Sequence, residues 1–511
     1  MSTISTTGVS TASTSASASS ALQQAAQSII SGSTGNSSMD VNSLVTALVN
    51  AKTAGQASTL TAKQTSDNTQ ISALGTLSAG LSALQASLSS LSDGTMLSKF
   101  SATASGTGLT ATAGTGAVAG SYSVTVSQIA TAQSLTSGTF ASATTQLGTG
   151  TLAVSVGGKS MNVTIDSTNN TLSGIASAIN SASGNPGVTA TIVTGTGGAA
   201  HLVLNSTATG AANAISVSVS NLQNNNGLSN LGVTSTAGSG TNASTITSAG
   251  AGANAWTQNT GAQDASFTVG NVAVTSASNT VTSAIAGVTL NLTAAAVTTP
   301  AQTQTVTVAK DTTSQATAIN NFVSLYNTLV TTMSSLSSFD KTQSASAQGP
   351  LLGDSTLNTI RNTLSSVVSN GVRNGGTNTS LASIGITLQA DGTLQTDSTK
   401  LNSALQNNPT TVATLFASGT GVAARLNTDI TAYTSSTGLI AARTTALNKD
   451  LTSISTQQTT LSAYAKQLTS QYQAQFTALN TLMATMNNNQ QYLTQLFGGS
   501  NSQGAMSANK G

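Results

Sequence analysis

Residues 439–497 read LIAARTTALNKDLTSISTQQTTLSAYAKQLTSQYQAQFTALNTLMATMNNNQQYLTQLF, with no Pro or Gly to interrupt them. Apolar side chains recur every seven residues at Ile440, Leu447, Ile454, Leu461, Leu468, Leu482 and Leu496, with polar exceptions at Gln475 and Asn489. A second row, four residues on, holds Leu451, Tyr472, Leu479, Met486 and Leu493, with Thr444, Gln458 and Ala465 as weaker members. Two rows at this offset predict a coiled-coil seam. The helix would run to roughly 85 Å at about 1.5 Å per residue. A small domain cannot bury all of it, so part of the stripe must meet a partner.

The same period occurs near the other end. Leu74, Leu81 and Leu88 form one row and Leu77, Leu84 and Leu91 another, stopped at Asp93-Gly94. Upstream, Asp40 can cap a helix that carries Leu44, Val45, Leu48 and Val49. Before it, Met1–Ser38 is low-complexity and polar, and is expected to be disordered in isolation. The simplest arrangement sets the terminal helices antiparallel in one bundle, with the intervening chain inserted between them.

After Phe100 the period becomes alternating. Strands are predicted at 121–126, 151–156, 161–165, 188–193, 201–204 and 215–219, with one short helix over Leu172–Ile179. The Asn-, Gly-, Ser- and Thr-rich stretch Asn224–Gly261 reads as loop, and strands are predicted again at 267–274, 288–292 and 303–308. Helical spacing resumes after Asp311 through Ile319, Phe322, Tyr326, Leu329 and Met333. It continues in a helix from Leu351 to Val367, a hairpin around Asp391-Gly392, short helical turns on either side of Pro409, and a helix from Val422. The expected fold class is α+β multidomain, with terminal coiled-coil or helical-bundle legs and inserted β-rich domains. Its expected divisions are a polar lead (1–38), a terminal helical leg (39–66 with 455–511), a helical bundle (67–105 with 306–454), a β-rich domain (106–150 with 241–305) and a second β-rich domain (151–240).

Composition narrows the function. Only 5% of the 511 residues are charged, the net charge is +2, and the 14 basic residues are scattered. A nucleic-acid surface needs them clustered. All 12 acidic residues are Asp, and no Cys is present to form disulfides or thiolate metal sites. Met1–Ser20 has neither the basic start nor the continuous apolar core of a secretory signal, and no run approaches a membrane span. The single His, His201, alternates with strand residues and reads as structural, since a catalytic triad needs base, orienter and nucleophile together. Gly195–Ala200 has the glycines of a dinucleotide loop but is followed by a strand, so it reads as a hairpin. Asp391 and Asp397 lack calcium-loop spacing. No catalytic, cofactor or metal site is expected, and the chain does not read as an enzyme.

Several segments together resemble the flagellar hook-associated protein 2 family of filament cap proteins. Asp40-Val41-Asn42-Ser43-Leu44-Val45 is similar to its N-terminal signature, and Tyr122–Ala130 to the start of its β region. Leu172–Asn213 resembles a small β-rich repeat of flagellar proteins, which would make 151–240 a flagellin-repeat-like insertion. Gly349–Asp354, Leu381–Ile386, Tyr472–Leu482, Asn487-Asn488 and Tyr492-Leu493 are similar to later segments of the family, so the likeness spans roughly residues 39–498. Two features depart from it. The polar lead is longer than is usual for the family, and Lys52 stands where an acidic residue is common.

The resemblance implies a structural protein with no cofactor, secreted through the flagellar type III channel and placed at the distal tip of the flagellum, outside the cell. There it would form a homo-oligomeric ring, a pentamer being one candidate, and promote flagellin polymerisation and filament elongation. Implied partners are flagellin, hook–filament junction proteins, an export chaperone and, for members associated with attachment, a host-surface ligand; neither nucleic acid nor membrane is among them. The competing readings are a hook-junction or filament subunit and a surface adhesin. Up to about Leu468 the long heptad can close the chain's own bundle. Beyond it, the only upstream apolar counterpart is the much shorter Leu44–Val49. The expected assembly interface, toward other copies or flagellin, is Leu44, Leu48, Leu468, Tyr472, Phe476, Leu479, Leu482, Met486, Tyr492, Leu493 and Leu496, with Tyr464 and Phe497 as further aromatic anchors.

Overall fold

The structure, a computed structural model, describes Gln23 and residues 41–342, 344, 347–374, 377–416 and 419–497. The polar lead apart from Gln23, the expected cap Asp40, the tail after Phe497 and the Phe497 side chain lie outside the described residues. The described residues form two compact units, a helical one within 41–93, 318–404 and 408–497, and a β unit from 94–317 with 405–407. The chain is a mixed α+β protein with long N- and C-terminal helices and β-rich structure between them.

The first helix, α1 (Val41–Ser92), joins two segments that the sequence marks separately. Apolar spacing is lost between Thr53 and Ala73, where only Leu60 is buried, yet the helix continues through this stretch. Ala, Gln, Lys and Thr there lack Pro and leave helix formation to propensity and to the partner helix. Gly94, at φ 77°, follows its end.

The β unit opens with β1 (Phe100–Ala104), β2 (Leu109–Ala113), β3 (Gly120–Gln128), β4 (Ser134–Thr136), β5 (Thr149–Val156) and β6 (Lys159–Ile165). Helix α2 (Leu172–Ser181) follows, then β7 (Val188–Thr194), β8 (Ala200–Ser206), β9 (Ile215–Gln223), β10 (Val233–Thr236), β11 (Thr245–Ser248) and β12 (Thr257–Thr260). The last strands are β13 (Ala265–Val269), β14 (Val272–Ser276), β15 (Thr280–Ile285), β16 (Val288–Leu292) and β17 (Thr303–Lys310). One core lies among the sheet β1-β17-β3-β13-β14 and the sheet β15-β16-β2, where Val124, Val126, Phe267, Leu290 and Val306 are buried. A second lies among β11-β10-β9-β5-β6, β12-β4-β8-β7 and α2, around Leu152, Val154, Ile175, Leu202 and Trp256. Thr171 caps α2 by accepting the Gly174 N–H at 3.1 Å.

Two expectations fail in this unit. Asn224–Gly261 is not only loop, because β10, β11 and β12 fall within it. Their seats are polar: Gln133, with no exposed surface, donates from Nε2 to Ser235 Oγ at 3.1 Å, Ser244 Oγ at 3.1 Å and Gln258 Oε1 at 2.8 Å, and its Oε1 accepts from the Ile215 N–H. Residues 267–274 are not one strand either. They bend into the β13–β14 hairpin at Gly270-Asn271, both at positive φ.

The helical unit resumes with α3 (Thr312–Leu336), whose first turn is capped by Asp311 Oδ1 accepting from the Ser314 N–H at 3.0 Å. Next come α4 (Ser355–Asn370), short hairpins that include strands Ile386–Leu388 and Leu394–Thr396, α5 (Ser398–Asn407), α6 (Pro409–Phe416), α7 (Val422–Thr434) and α8 (Leu439–Phe497). The helix expected from Leu351 starts only at Ser355, because Asp354 caps it and Leu351-Leu352 form a turn before it. Buried side chains include Leu74, Leu77, Leu81, Leu84, Leu88 and Leu91 of α1, Phe322, Tyr326 and Leu329 of α3, and Leu426 and Ile430 of α7. Gly80 brings α1 close to α3, since a β-carbon there would meet Leu329 Cδ1 at 3.1 Å. Burial pushes the Tyr326 hydroxyl up to about 12.

Candidate assembly surface on the terminal helices

Helices α1 and α8 pair along most of the former's length, and the character of their seam changes along it. At the inner end, Ile440 and Leu447 are buried in the bundle. Arg443 lies there too, donating from Nε to Asp354 Oδ2 at 3.0 Å and from Nη2 to Gln70 Oε1 at 3.0 Å. Asp354 is itself nearly buried, and its Oδ1 accepts the N–H groups of Thr356 and Leu357 at the start of α4. One carboxylate therefore ties α4 and α8 while the same guanidinium reaches α1. Nearby, burial raises the Asp67 carboxyl above its ordinary value, as does the like charge of Asp450, against the opposing pull of Arg443 and Lys63.

Further out the seam thins. Leu60, Ile454 and Leu461 form a small cluster of their own. Beside it, Gln458 Nε2 donates to Gln64 Oε1 at 3.1 Å, so this polar member of the second heptad row pairs within the chain. Apolar packing then returns. Val45, Val49 and Leu468 are buried together, with Val41, Ala465, Tyr472 and Phe476 against them, and Leu44 and Ala47 pack with Leu48 and Phe476. Tyr472 and Phe476 lie with ring centroids 6.5 Å apart. Gln473 Nε2 donates to Asn42 Oδ1 at 3.4 Å, next to the first described residue of α1.

Beyond Phe476 the helix continues without α1. Leu479 is 43% exposed, Leu482 56%, Met486 63%, Tyr492 64%, Leu493 51% and Leu496 56%. Leu479, Leu482 and Met486 follow at spacings of three and four and, one heptad on across Asn489, Leu493 and Leu496 continue the same apolar stripe on an exposed helix face. The expected interface residues thus fall into two groups. Leu44 and Leu468 are buried and Leu48, Tyr472 and Phe476 half-buried against the chain's own helices, whereas Leu479, Leu482, Met486, Tyr492, Leu493 and Leu496 lie open. Gln475 and Asn489 are exposed, as is Tyr464. Residues 467–497 carry no charge, so the stripe offers shape and apolar area alone.

Other positions singled out by the sequence have structural places. His201 Nδ1–H donates to the Ser137 carbonyl at 2.9 Å, which fixes the ring in the β8 region. Gly195–Ala199 closes the β7–β8 hairpin, with Gly197 and Gly198 at positive φ. Asp391 sits in a turn, where bonds from the Thr393 hydroxyl and N–H hold its carboxyl below the ordinary value, and Asp397 caps α5. Sequence reasoning missed the Arg443–Asp354–Gln70 junction. The Gly353-Asp354-Ser355 cap signal was readable, but nothing local pairs it with an arginine 89 positions away.

The chain's relatives agree with this architecture. Sequence profiles described as the flagellar hook-associated protein 2 N-terminus and C-terminus match residues 37–133 and 262–488, and the flagellin hook IN motif matches 151–208. Flagellar hook-associated protein 2 of Escherichia coli K12 is 36% identical over 481 residues, covering 90% of this chain and 96% of the relative. The B-type protein of Pseudomonas aeruginosa PAO1 is 33% identical over 475 residues, with the same coverage. The crystal structure of the D1-D2-D3 domains of the flagellar cap protein FliD from E. coli superposes with a TM-score of 0.58 at 35% identity, covering 74% of this chain and 99% of that one. Identity of this extent over nearly the whole of both chains, on a shared fold, places the protein in the flagellar hook-associated protein 2 family.

Proposed function

We propose that this protein is a structural cap of the flagellar filament, a homo-oligomeric ring at the distal tip beneath which flagellin subunits polymerise as the filament elongates. The observation that carries the reading is the stripe from Leu479 to Leu496, exposed and without a partner among the described residues, which ends a helix otherwise anchored in the chain's own bundle. A rigid arm with an uncharged apolar face suits a surface that must engage a partner and let go of it. Its contacts can be exchanged without breaking buried ion pairs. The inner half of the arm, where Leu44, Leu48, Leu468, Tyr472 and Phe476 pack, sets the direction of the outer half. The proposal extends to export through the flagellar type III channel and to contact with flagellin and the hook–filament junction. Chemistry on a substrate has no part in it.

The test is complementation of cells that lack their own cap protein. The full chain is expected to restore filaments, while a chain truncated before Gln475 should be exported, leave filaments short or absent and release monomeric flagellin into the medium. Normal filament growth with the truncated chain would remove the arm from the mechanism.

A further inference from the structure

Strand β7 lies at an edge of its sheet, in the order β12-β4-β8-β7, with a strand on one side only. It reads VTATIVT over 188–194, rich in β-branched residues, uncharged and without Pro, which is the composition of a segment prone to pair with another strand. The usual protection is missing. An exposed edge is ordinarily kept closed by a charged side chain, most often Lys, yet residues 167–263 include no Asp, Glu, Lys or Arg.

Two side-chain amides cover the edge instead. Along an antiparallel pair, alternate residues bond across the ladder and the others turn their N–H and C=O outward. At the two ends of β7, the Gly187 carbonyl accepts from the Thr207 N–H and the Gly195 N–H donates to the Ala199 carbonyl, so the outward residues are Val188, Ala190, Ile192 and Thr194. Asn185, in the loop after α2, accepts from the Val188 N–H at 2.8 Å through Oδ1 and donates from Nδ2 to the Val188 carbonyl at 2.8 Å. Asn180, near the end of α2, treats Ala190 in the same way, at 2.8 Å to the N–H and 2.7 Å to the carbonyl. Each carboxamide thus makes the two bonds that one residue of an added strand would make. Only Ile192 and Thr194 remain, too short a stretch to seat a strand. Asn185 is held in place by further bonds, from its Nδ2 to the Ile179 carbonyl at 3.0 Å and from the Gly187 N–H to its Oδ1 at 2.9 Å.

The arrangement recurs. Beside edge strand β6, Asn169 accepts from the Asp166 N–H at 2.8 Å and donates to the Thr164 carbonyl at 3.0 Å. In the helical unit, Asn327 makes the paired bonds to Leu394, at 2.7 Å to the N–H and 2.8 Å to the carbonyl.

We propose that Asn180 and Asn185 close the β7 edge against strand addition by β7 of a second copy. Every copy carries the same strand with no charge to repel its like, so an edge with all four outward residues open would take the nearest copy as its partner. The inference does not depend on the cap reading.

In the full chain, Asn180→Ala with Asn185→Ala is expected to self-associate at least about tenfold more tightly than the unaltered chain in sedimentation velocity, and to slow amide exchange at Ile192 and Thr194 as concentration rises. Adding Thr191→Lys restores none of the lost bonds but puts a charge on the exposed face of the strand, and should abolish the added association. Association that survives the lysine, or that leaves exchange at Ile192 and Thr194 unchanged, would come from general destabilisation and overturn the proposal. So would a folded Ala pair that associates no more than the unaltered chain. A further measurement needs no variant. In the unaltered chain the Val188 and Ala190 amides should exchange at least about tenfold more slowly than those of Ile192 and Thr194, and equal rates would also overturn the proposal. Each of these failures leaves the complementation result untouched.

Discussion

Arg443 and Asp354 are the one ion pair among the described residues that joins separate helices, and the carboxylate is 6% exposed against 34% for the guanidinium. Removing the arginine leaves a nearly buried carboxylate with its two cap bonds and no counter-charge. Arg443→Ala is expected to cost about 2 kcal/mol, below the range for a fully buried pair because water reaches the guanidinium side. Denaturant unfolding of the full chain checks it. Arg443→Lys should recover only part, because one ammonium cannot reproduce the fork that reaches both Asp354 and Gln70. Asp67 behaves in the opposite sense. Its carboxyl is raised in the folded protein, so the protonated form favours folding. That contribution is complete below the ordinary value of 3.8 and is lost as pH rises through the raised folded value. Asp67→Asn should therefore stabilise the protein slightly at neutral pH and have no effect on stability below 3.8, which a pair of melting curves at the two pH values would show.

At the scale of elements, how far each was legible depended on where its determinants lie. The limits of α8, Leu439 to Phe497, could be read directly, because a heptad without a breaker is a local signal. Three other features could not be read so simply. The middle of α1 has no apolar period because a single partner helix covers it, leaving Leu60 alone to mark the seam. Strands β10, β11 and β12 are four residues each in a polar composition and are seated by Gln133, which comes from more than 100 positions upstream of Ser235 and of Gln258. The β13–β14 turn did carry a signal, since Gly-Asn is a known hairpin dipeptide, but the apolar residues on both sides read through it as one strand. The candidate surface was legible as a stripe, but not where α1 stops covering it. That point depends on the register between helices hundreds of residues apart. Gln475 and Asn489 interrupt the stripe and are both exposed, so Gln475→Leu with Asn489→Leu completes the row from Leu468 to Leu496. The double variant is expected to strengthen self-association by at least about tenfold in sedimentation velocity and to slow filament growth. Unchanged association would mean that this face does not bind copies of the chain.

For the whole molecule, the position of the insertion decides what can be separated. The β unit begins and ends side by side: β1 pairs antiparallel with β17 from Phe100↔Lys310 to Ala104↔Val306, and the Asp311 N–H donates to the Lys99 carbonyl at 3.0 Å. A unit whose two chain ends meet can be cut out as one piece, since its own core and sheets close without help from the flanking helices. Its buried residues gather in two clusters that draw only on residues within it. A protein made of residues 98–312 is therefore expected to fold alone, with a single cooperative transition and near-complete amide protection in β3, β5 and β8. The remaining chain, with a short Gly-Ser bridge replacing 100–310, should keep the α1–α8 pair, because the buried leucines from Leu74 to Leu91, Leu329 of α3 beside Gly80, and the α7 helix packed on α1 all lie outside the excised piece. Far-UV circular dichroism of that chain should then be dominated by helix and lose its strand component. Loss of helix along with the strands would show that the two units are energetically one, and would require the insertion to be treated as part of the bundle's own fold.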